Sequence, residues 1–248
     1  SLGNPTAPYH GYAARDMKRI EEHFGDTAGS WVPFDNLVSA AHANGIKVIV
    51  DFAPNHSNQN NAGEFGALYD NGVFLADYGN DPNGYFHHSP DIGDCNDRYQ
   101  LQYDQLFGLA DLNQEHPTID AYLKAAATQL AQHGTAAFRV DAVKHVTWGW
   151  EYSMTNAMFT SAPSFVFGEW YQGNTSDPLY RDSRKLANRS GMSLLDFPLN
   201  TAIRNVFASG TSFWDLENTL AAENGDFTWK NELVTFVDNH DIPRFLSL

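Results

Sequence analysis

The chain has a single cysteine, Cys95, in 248 residues. One thiol closes no intrachain disulfide, so cysteine usage does not report the compartment, and Cys95 reads as a structural thiol. Long apolar runs are also missing: no stretch approaches the roughly 18 consecutive apolar residues that span a bilayer. Positive charge is scarce, with 15 Lys and Arg against 30 Asp and Glu, a formal net charge of -15. A surface of that sign repels phosphate backbones and anionic headgroups, which argues against nucleic-acid and membrane partners. The first residues, Ser1-Leu-Gly-Asn-Pro5, lack the basic-then-apolar layout of a signal peptide; the expectation is a leader already removed or an internal segment. What the chain does have is 42% hydrophobic and 14% aromatic residues, enough for one sizeable core and one main domain.

Between Phe34 and His42 the apolar Phe34, Leu37, Val38 and Ala41 recur at helical spacing. Gly45 then supplies a stop, and the β-branched run Ile46 to Val50 predicts a strand. The same order returns later, with Thr118 as the expected cap of a helix carrying Ile119, Tyr122, Leu123 and Ala126, Gly134 as its end, and a strand over Ala136 to Val140. Further strands are predicted at Phe165 to Phe167, Met192 to Leu195 and Leu233 to Val237, with helices around residues 151–160, 201–208 and 213–222. Helix and strand in alternation predict an α/β fold with a parallel sheet, open or closed into a barrel. Residues 57–106, rich in Asn, Asp, Gly, Tyr and His, lack helical periodicity and are too long for an ordinary connection; they predict an irregular inserted subdomain.

Four segments place polar residues just past the end of a predicted strand: Asp51 to His56, Arg139 to His145, Glu169 to Tyr171, and Asp238 to Asp241. In a parallel barrel that edge is where active sites are built, because every strand delivers its next loop to the same face. A lone Asp or His there is ordinarily a turn former or cap, and Asp51 in particular reads equally as a holder of its neighbours. Arg139 and Asp141 are sharper, because alternation along Phe138-Arg-Val-Asp141 sends both to one face, into what would otherwise be core. Two carboxylates flanking a glycosidic bond suffice for displacement with retention: one attacks the anomeric carbon, the other protonates the leaving oxygen and then activates water. General acid catalysis contributes on the order of 10²- to 10⁴-fold, about 3 to 5 kcal/mol, so a nucleophile and electrostatic stabilisation must supply the rest. Arg139 beside Asp141 favours an ionised nucleophile, and the setting of Glu169 among Phe167, Trp170 and Tyr171 favours a protonated acid.

Asp51-Phe-Ala-Pro-Asn-His56, Phe138-Arg-Val-Asp-Ala-Val-Lys-His145, Phe167-Gly-Glu-Trp170 and Phe236-Val-Asp-Asn-His-Asp241 resemble, in order, the four signature regions of the α-amylase family. Leu109-Ala-Asp-Leu-Asn113 resembles its fifth. The resemblance implies a (β/α)8 TIM barrel with an irregular domain B after the third strand, here residues 57–106 between barrel segments 1–56 and 107–248. Only strands matching the family's third to seventh are found, which makes the barrel incomplete and predicts that this piece alone is unstable or inactive. The resemblance further implies Asp141 as nucleophile, Glu169 as acid/base and Asp241 as the third carboxylate. Tyr12, His56, Arg139, Lys144, His145, Phe107, Tyr171 and His240 are the substrate-binding positions it implies. Calcium is the implied cofactor, held by the Asn55 side chain, the Asp111 carboxylate and the His145 backbone carbonyl, with a carbonyl near Gln102 as a weaker fourth; hard oxygen ligands suit that ion.

Tyr9-His-Gly-Tyr12, Leu68-Tyr-Asp-Asn-Gly72, Asn83-Gly-Tyr-Phe-His-His88 and Ser190 to Phe197 resemble the branch holding cyclodextrin glucanotransferases and maltogenic amylases. Phe107 stands where glucanotransferases carry an aromatic that guides the chain end, whereas Gly108 departs from their usual Asp. Ala13 also departs, since a Trp usually follows the Tyr. The segments Ile20 to Gly25 and Asn200 to Phe207 lean to the maltogenic side. Together these favour hydrolysis of α-1,4-glucans such as starch by a secreted monomer, with cyclising glucanotransfer as the alternative. A catalytically silent glucan-binding relative and a zinc hydrolase using Asp51, His56, Asp238 and His240 are the remaining rivals.

Overall fold

A computed structural model describes residues 11–12, 14–20, 30–58, 65–161 and 165–247. The chain divides into two compact units, Ser1–Val166 and Phe167–Leu248.

In the first unit, α1 (Val32–Ala43) begins with Pro33 in its first turn and ends at Asn44 and the left-handed Gly45, φ +72°. β1 follows at Ile49–Phe52, later than the β-branched run suggested. Its ladder with the neighbouring strand opens with Ala136 N–H donating to the Val48 carbonyl, so Ile46 stays outside the sheet and exposed. β1 pairs in parallel with β4 (Ala137–Val140), and Asp51 lies directly opposite Arg139. All four β4 residues are buried, as in a central strand of a parallel sheet.

Before β4 runs α3 (Pro117–Gln132), whose cap is His116 rather than Thr118: Pro117 takes the first helical position and the His116 ring accepts from the Thr118 N–H. Pro at that position has the φ a helix start requires and lacks only a donor the helix would not have used. Ile119, Tyr122, Leu123, Ala126, Ala127 and Leu130 form its buried face, packed against α4 (Trp148–Ser161) with Trp150, Met154 and Met158. Each large apolar side chain so buried contributes about 1.5–3 kcal/mol relative to exposure.

The segment expected to be irregular contains a hairpin and a short helix. β2 (Leu68–Asp70) and β3 (Val73–Ala76) are antiparallel and joined by Asn71-Gly72, both at positive φ. Asn-Gly with two positive φ values is the two-residue turn whose twist matches that of paired strands. The helix α2 (Arg98–Tyr103) is capped by Asp97, whose carboxylate accepts from the Tyr99 and Gln100 N–H groups.

The second unit is entered through β5 (Phe165–Gly168), which pairs in parallel with the two-residue β6 (Ser193–Leu194). Between them lies α5 (Tyr180–Ser190), a helix the apolar count did not reveal because Arg181, Asp182, Arg184, Lys185 and Arg189 crowd it. α6 (Phe197–Ser209) and α7 (Phe213–Asp226) pack on each other. The strand expected over Leu233 to Val237 is reduced to one parallel bridge, Leu195 with Val234. β6 offers no longer ladder, because Asp196 turns out of it to cap α6, accepting from the Leu199 N–H at 3.0 Å.

Candidate active site

In the first unit the polar residues after β1 and β4 meet. Parallel register sets Asp51 beside Arg139, and the Arg139 Nη1 donates to Asp51 Oδ1 at 2.9 Å and also to Asp141 Oδ1. The guanidinium is thus buried between two carboxylates. Tyr12 donates its hydroxyl to Asp51 Oδ2 at 2.5 Å, and its ring lies 5.8 Å from the Arg139 guanidinium carbon. Burial pushes the Tyr12 phenol well above its ordinary value, and the bond to Asp51 adds to that; the phenol is a donor at any working pH. His56 Nε2 approaches the Tyr12 carbonyl at 3.1 Å. Ala142 follows Asp141 at φ +53°, a left-handed non-glycine residue of the kind that concentrates at functional turns.

The loop after β1 is stitched to residues 110–112. Ser57 N–H donates to the Ala110 carbonyl, Leu112 N–H donates to the Asn55 carbonyl, and Gln114 Nε2 holds the Pro54 carbonyl at 3.1 Å. This brings Asn55, Asp111 and the His145 backbone together. One end of the Asn55 amide lies 3.1 Å from Asp111 Oδ1 and 2.7 Å from the His145 carbonyl oxygen. With nitrogen at that end the amide donates to both. With oxygen there, three oxygens face one another at spacings that ligands about 2.3–2.6 Å from one hard cation adopt. Asn55 and Asp111 are both buried, and burial carries the Asp111 carboxyl up to about 7 although the neighbouring His87 ring pulls it down.

Asp111 Oδ2 meets His87 Nδ1 at 2.7 Å, and Glu115 meets the other ring nitrogen. Burial alone would lower His87; the bonds to Asp111 and Glu115 outweigh it and carry the ring to about 9. Sequence reasoning missed His87 and Glu115. His145 uses its carbonyl in the oxygen cluster, while burial pushes its ring down to about 4, Lys144 adds to that, and the Leu101 backbone holds it. Lys144 is half-buried, its carbonyl accepting from Trp148 Nε1. Phe107 stands 91% exposed at φ +53°.

In the second unit Glu169 leaves the end of β5 half-buried, next to the wholly buried Trp170. Tyr171 is exposed and leans on Phe197, 4.7 Å between rings. Asp241 and His240 lie on the 236–245 loop, His240 Nε2 at 3.4 Å from Asp241 Oδ2, and the Asp241 N–H donates to Asn239 Oδ1. Two residues of α6 pin this loop: Asn200 Nδ2 donates to the Phe236 carbonyl, and Arg204 Nη1 donates to the carbonyls of Val237 and Pro243 at 3.0 Å each. Both had entered only through a branch resemblance; a polar pair at helical i, i+4 spacing was the available signal. Among the described residues no group of three or more His, Cys, Asp or Glu side chains converges as a metal cage. Ala13 and residues 59–64 lie outside the described residues.

The family model described as alpha amylase, catalytic domain, matches residues 4–248. A cyclomaltodextrin glucanotransferase of Bacillus licheniformis is 43% identical over 98% of this chain and 34% of its own length. An alpha-amylase of Niallia circulans is 44% identical over 98% of this chain and 46% of its own length. Among solved structures, a three-domain cyclomaltodextrin glucanotransferase matches with TM-score 0.92 and 47% identity, covering 97% of this chain and 49% of that one. An acarbose complex of the Geobacillus thermoleovorans alpha-amylase matches with TM-score 0.83 and 26% identity, covering 99% and 51%. The chain therefore spans from about a third to about a half of the length of these relatives.

Proposed function

The chain belongs to the α-amylase family and carries part of its (β/α)8 catalytic barrel, and from that premise we propose that it cleaves α-1,4-glucosidic bonds of starch-type glucans with retention, by hydrolysis. The observation that carries this reading is the Asp51–Arg139–Asp141 arrangement at the ends of two paired strands. It sets a full positive charge against the carboxylate that has to attack as an anion. Asp141 attacks the anomeric carbon while Glu169 gives its proton to the departing glycosidic oxygen, leaving a covalent glycosyl ester. Glu169 then takes a proton from water, the water oxygen bonds the anomeric carbon, and the ester bond to Asp141 breaks. Asp241 faces the positive charge that develops on the ring in both steps. Tyr12, His56, Arg139, Lys144, His145, Tyr171 and His240 are the polar and aromatic groups proposed to hold the sugar.

Calcium belongs to the same proposal: the Asn55 side chain, the Asp111 carboxylate and the His145 carbonyl would hold it, and as a shared hard cation it would join the loop after β1 to Asp111 and His145. Secretion and a monomeric state also belong to it. A second reading, transfer of the glycosyl group to the substrate's own chain end with cyclic products, is supported by the exposed Phe107 and by the glucanotransferase relatives. Product analysis on soluble starch by the full-length protein separates the two: linear maltose and short chains are expected, and cyclic products would replace hydrolysis by transfer. In the same assay Asp141→Asn and Glu169→Gln each abolish turnover; appreciable residual activity in either removes the role assigned to it.

A further inference from the structure

Residues Leu106 to Leu109 close a tight turn, the Leu109 N–H donating to the Leu106 carbonyl at 3.0 Å. Its central residues are Phe107 at φ +53° and Gly108 at φ +68°. Two positive φ values in sequence define the turn normally filled by Asn, Asp or Gly. A bulky aromatic in the first of these positions is a strained choice, on the order of 1 kcal/mol or more, and persists only where the surroundings hold it. The strain does not purchase packing, because Phe107 is 91% exposed.

What holds the turn is the segment Ser89 to Ile92. Ile92 N–H donates to the Gln105 carbonyl, Gln105 N–H donates to the Pro90 carbonyl, and Gln105 Nε2 donates to the Ser89 carbonyl at 2.7 Å. All three bonds end on residue 105, short of the turn itself. The bond that reaches the turn is the Gly108 N–H donating to Asp91 Oδ1 at 2.7 Å, a charge-assisted contact of the stronger kind. A Cβ built on Gly108 would sit 3.9 Å from that same carboxylate oxygen, an ordinary van der Waals contact.

We propose that Asp91 is a positioning residue for Phe107: its carboxylate fastens the Gly108 amide and so fixes the turn that presents the exposed ring to the glucan chain. This rests on the reading of Phe107 as a glucan contact, and it makes Asp91, from a segment without any signature motif, a determinant of how a long substrate is held. Asp91 touches neither sugar nor reacting atoms. Asn at 91 keeps an oxygen able to accept from Gly108, whereas Ala does not.

The test compares Asp91→Ala, Asp91→Asn and Phe107→Ala in the full-length protein, with amide hydrogen exchange at Gly108 and steady-state kinetics on soluble starch. Asp91→Ala is expected to speed Gly108 exchange about tenfold or more and to raise KM several-fold with kcat changed less than twofold, and Asp91→Asn to recover most of both; the loss matches that of one hydrogen bond to a charged group. Thermal unfolding of each variant shows whether the fold is kept, and Asp91→Leu, which fills the same space without an acceptor and carries the same expectations as Asp91→Ala, carries the test if the Ala variant does not fold. Unchanged Gly108 exchange in Asp91→Ala overturns the fastening. Faster exchange with an unmoved KM, while Phe107→Ala raises KM, overturns the positioning role. An unmoved KM in Phe107→Ala instead removes the glucan contact on which the inference stands.

Discussion

Glu151 is a carboxyl group in the wrong solvent, and its replacement has a calculable consequence. It lies wholly buried on α4 beside Trp150 and Met154, and neither of its carboxylate oxygens has a hydrogen-bond partner among the described residues. Burial alone carries its pKa from 4.5 to about 8. The folded chain therefore keeps the proton at neutral pH while the unfolded chain has lost it, and stability falls as pH rises from the lower value to the higher one. A shift of that size corresponds to about 4 kcal/mol lost between about pH 5 and pH 9. Glu151→Met, similar in length and free of charge, should remove this decline: an advantage over the parent of about 1–3 kcal/mol already at about pH 5, where the parent's neutral carboxyl is buried without a partner, and about 4 kcal/mol more at about pH 9. Glu151→Gln should remove the same slope, yet sit about 1–3 kcal/mol lower throughout because its amide hydrogens are buried without acceptors. Urea unfolding followed by tryptophan fluorescence across that pH range measures both slope and offset. If the parent and the two variants decline in parallel, Glu151 is ionised or solvated in the folded chain and the reasoning fails.

Three other outcomes follow from the same structure. Chelation should lower the midpoint of thermal unfolding in the parent by the equivalent of about 2–3 kcal/mol when calcium had been present at about a hundred times its Kd; Asp111→Asn should abolish that response, and a chelator-insensitive parent would remove calcium from the oxygen cluster. Arg204→Met should release the loop bearing His240 and Asp241 by deleting its bonds to Val237 and Pro243, lowering kcat/KM about tenfold or more for a loss of about 1.5–3 kcal/mol; wild-type kinetics would show the loop is held otherwise. A crystal structure of the full-length protein with a bound oligosaccharide should place the Asp141 and Glu169 carboxyl groups about 5–5.5 Å apart, whereas a separation near 6.5–9.5 Å would predict inversion and remove the covalent step.

Legibility in the sequence followed the strength of each local rule. Helix, glycine stop and strand could be read twice because burial on one face leaves a period in the residues, and α1 with β1 and α3 with β4 emerged from it. Boundaries slipped where another group took over the job: His116 capped α3 because Pro117 already occupied its first position, and Asp196 ended β6 early by capping α6. The charge-rich α5 stayed hidden since its buried Tyr180, Leu186 and Ala187 are outnumbered by charged neighbours. The hairpin at Asn71-Gly72 carried the strongest short turn signal in the chain, and it was read only as part of a resemblance.

The site divides along the same physical line. Arg139 and Asp141 were legible together because period two fixes which side chains share a face within one strand, and Asp51 joins them because the parallel register puts it opposite Arg139. No rule of spacing reaches His87, Glu115 or Asp91, which act on residues 17 to 28 positions away through loops whose course is set by backbone hydrogen bonds. Residues that meet a substrate are drawn from few chemical types and stand at strand ends, where a pattern can be seen. Residues that hold those in place need only one acceptor at the right distance, and an aspartate in a loop looks the same in sequence whether or not it supplies one.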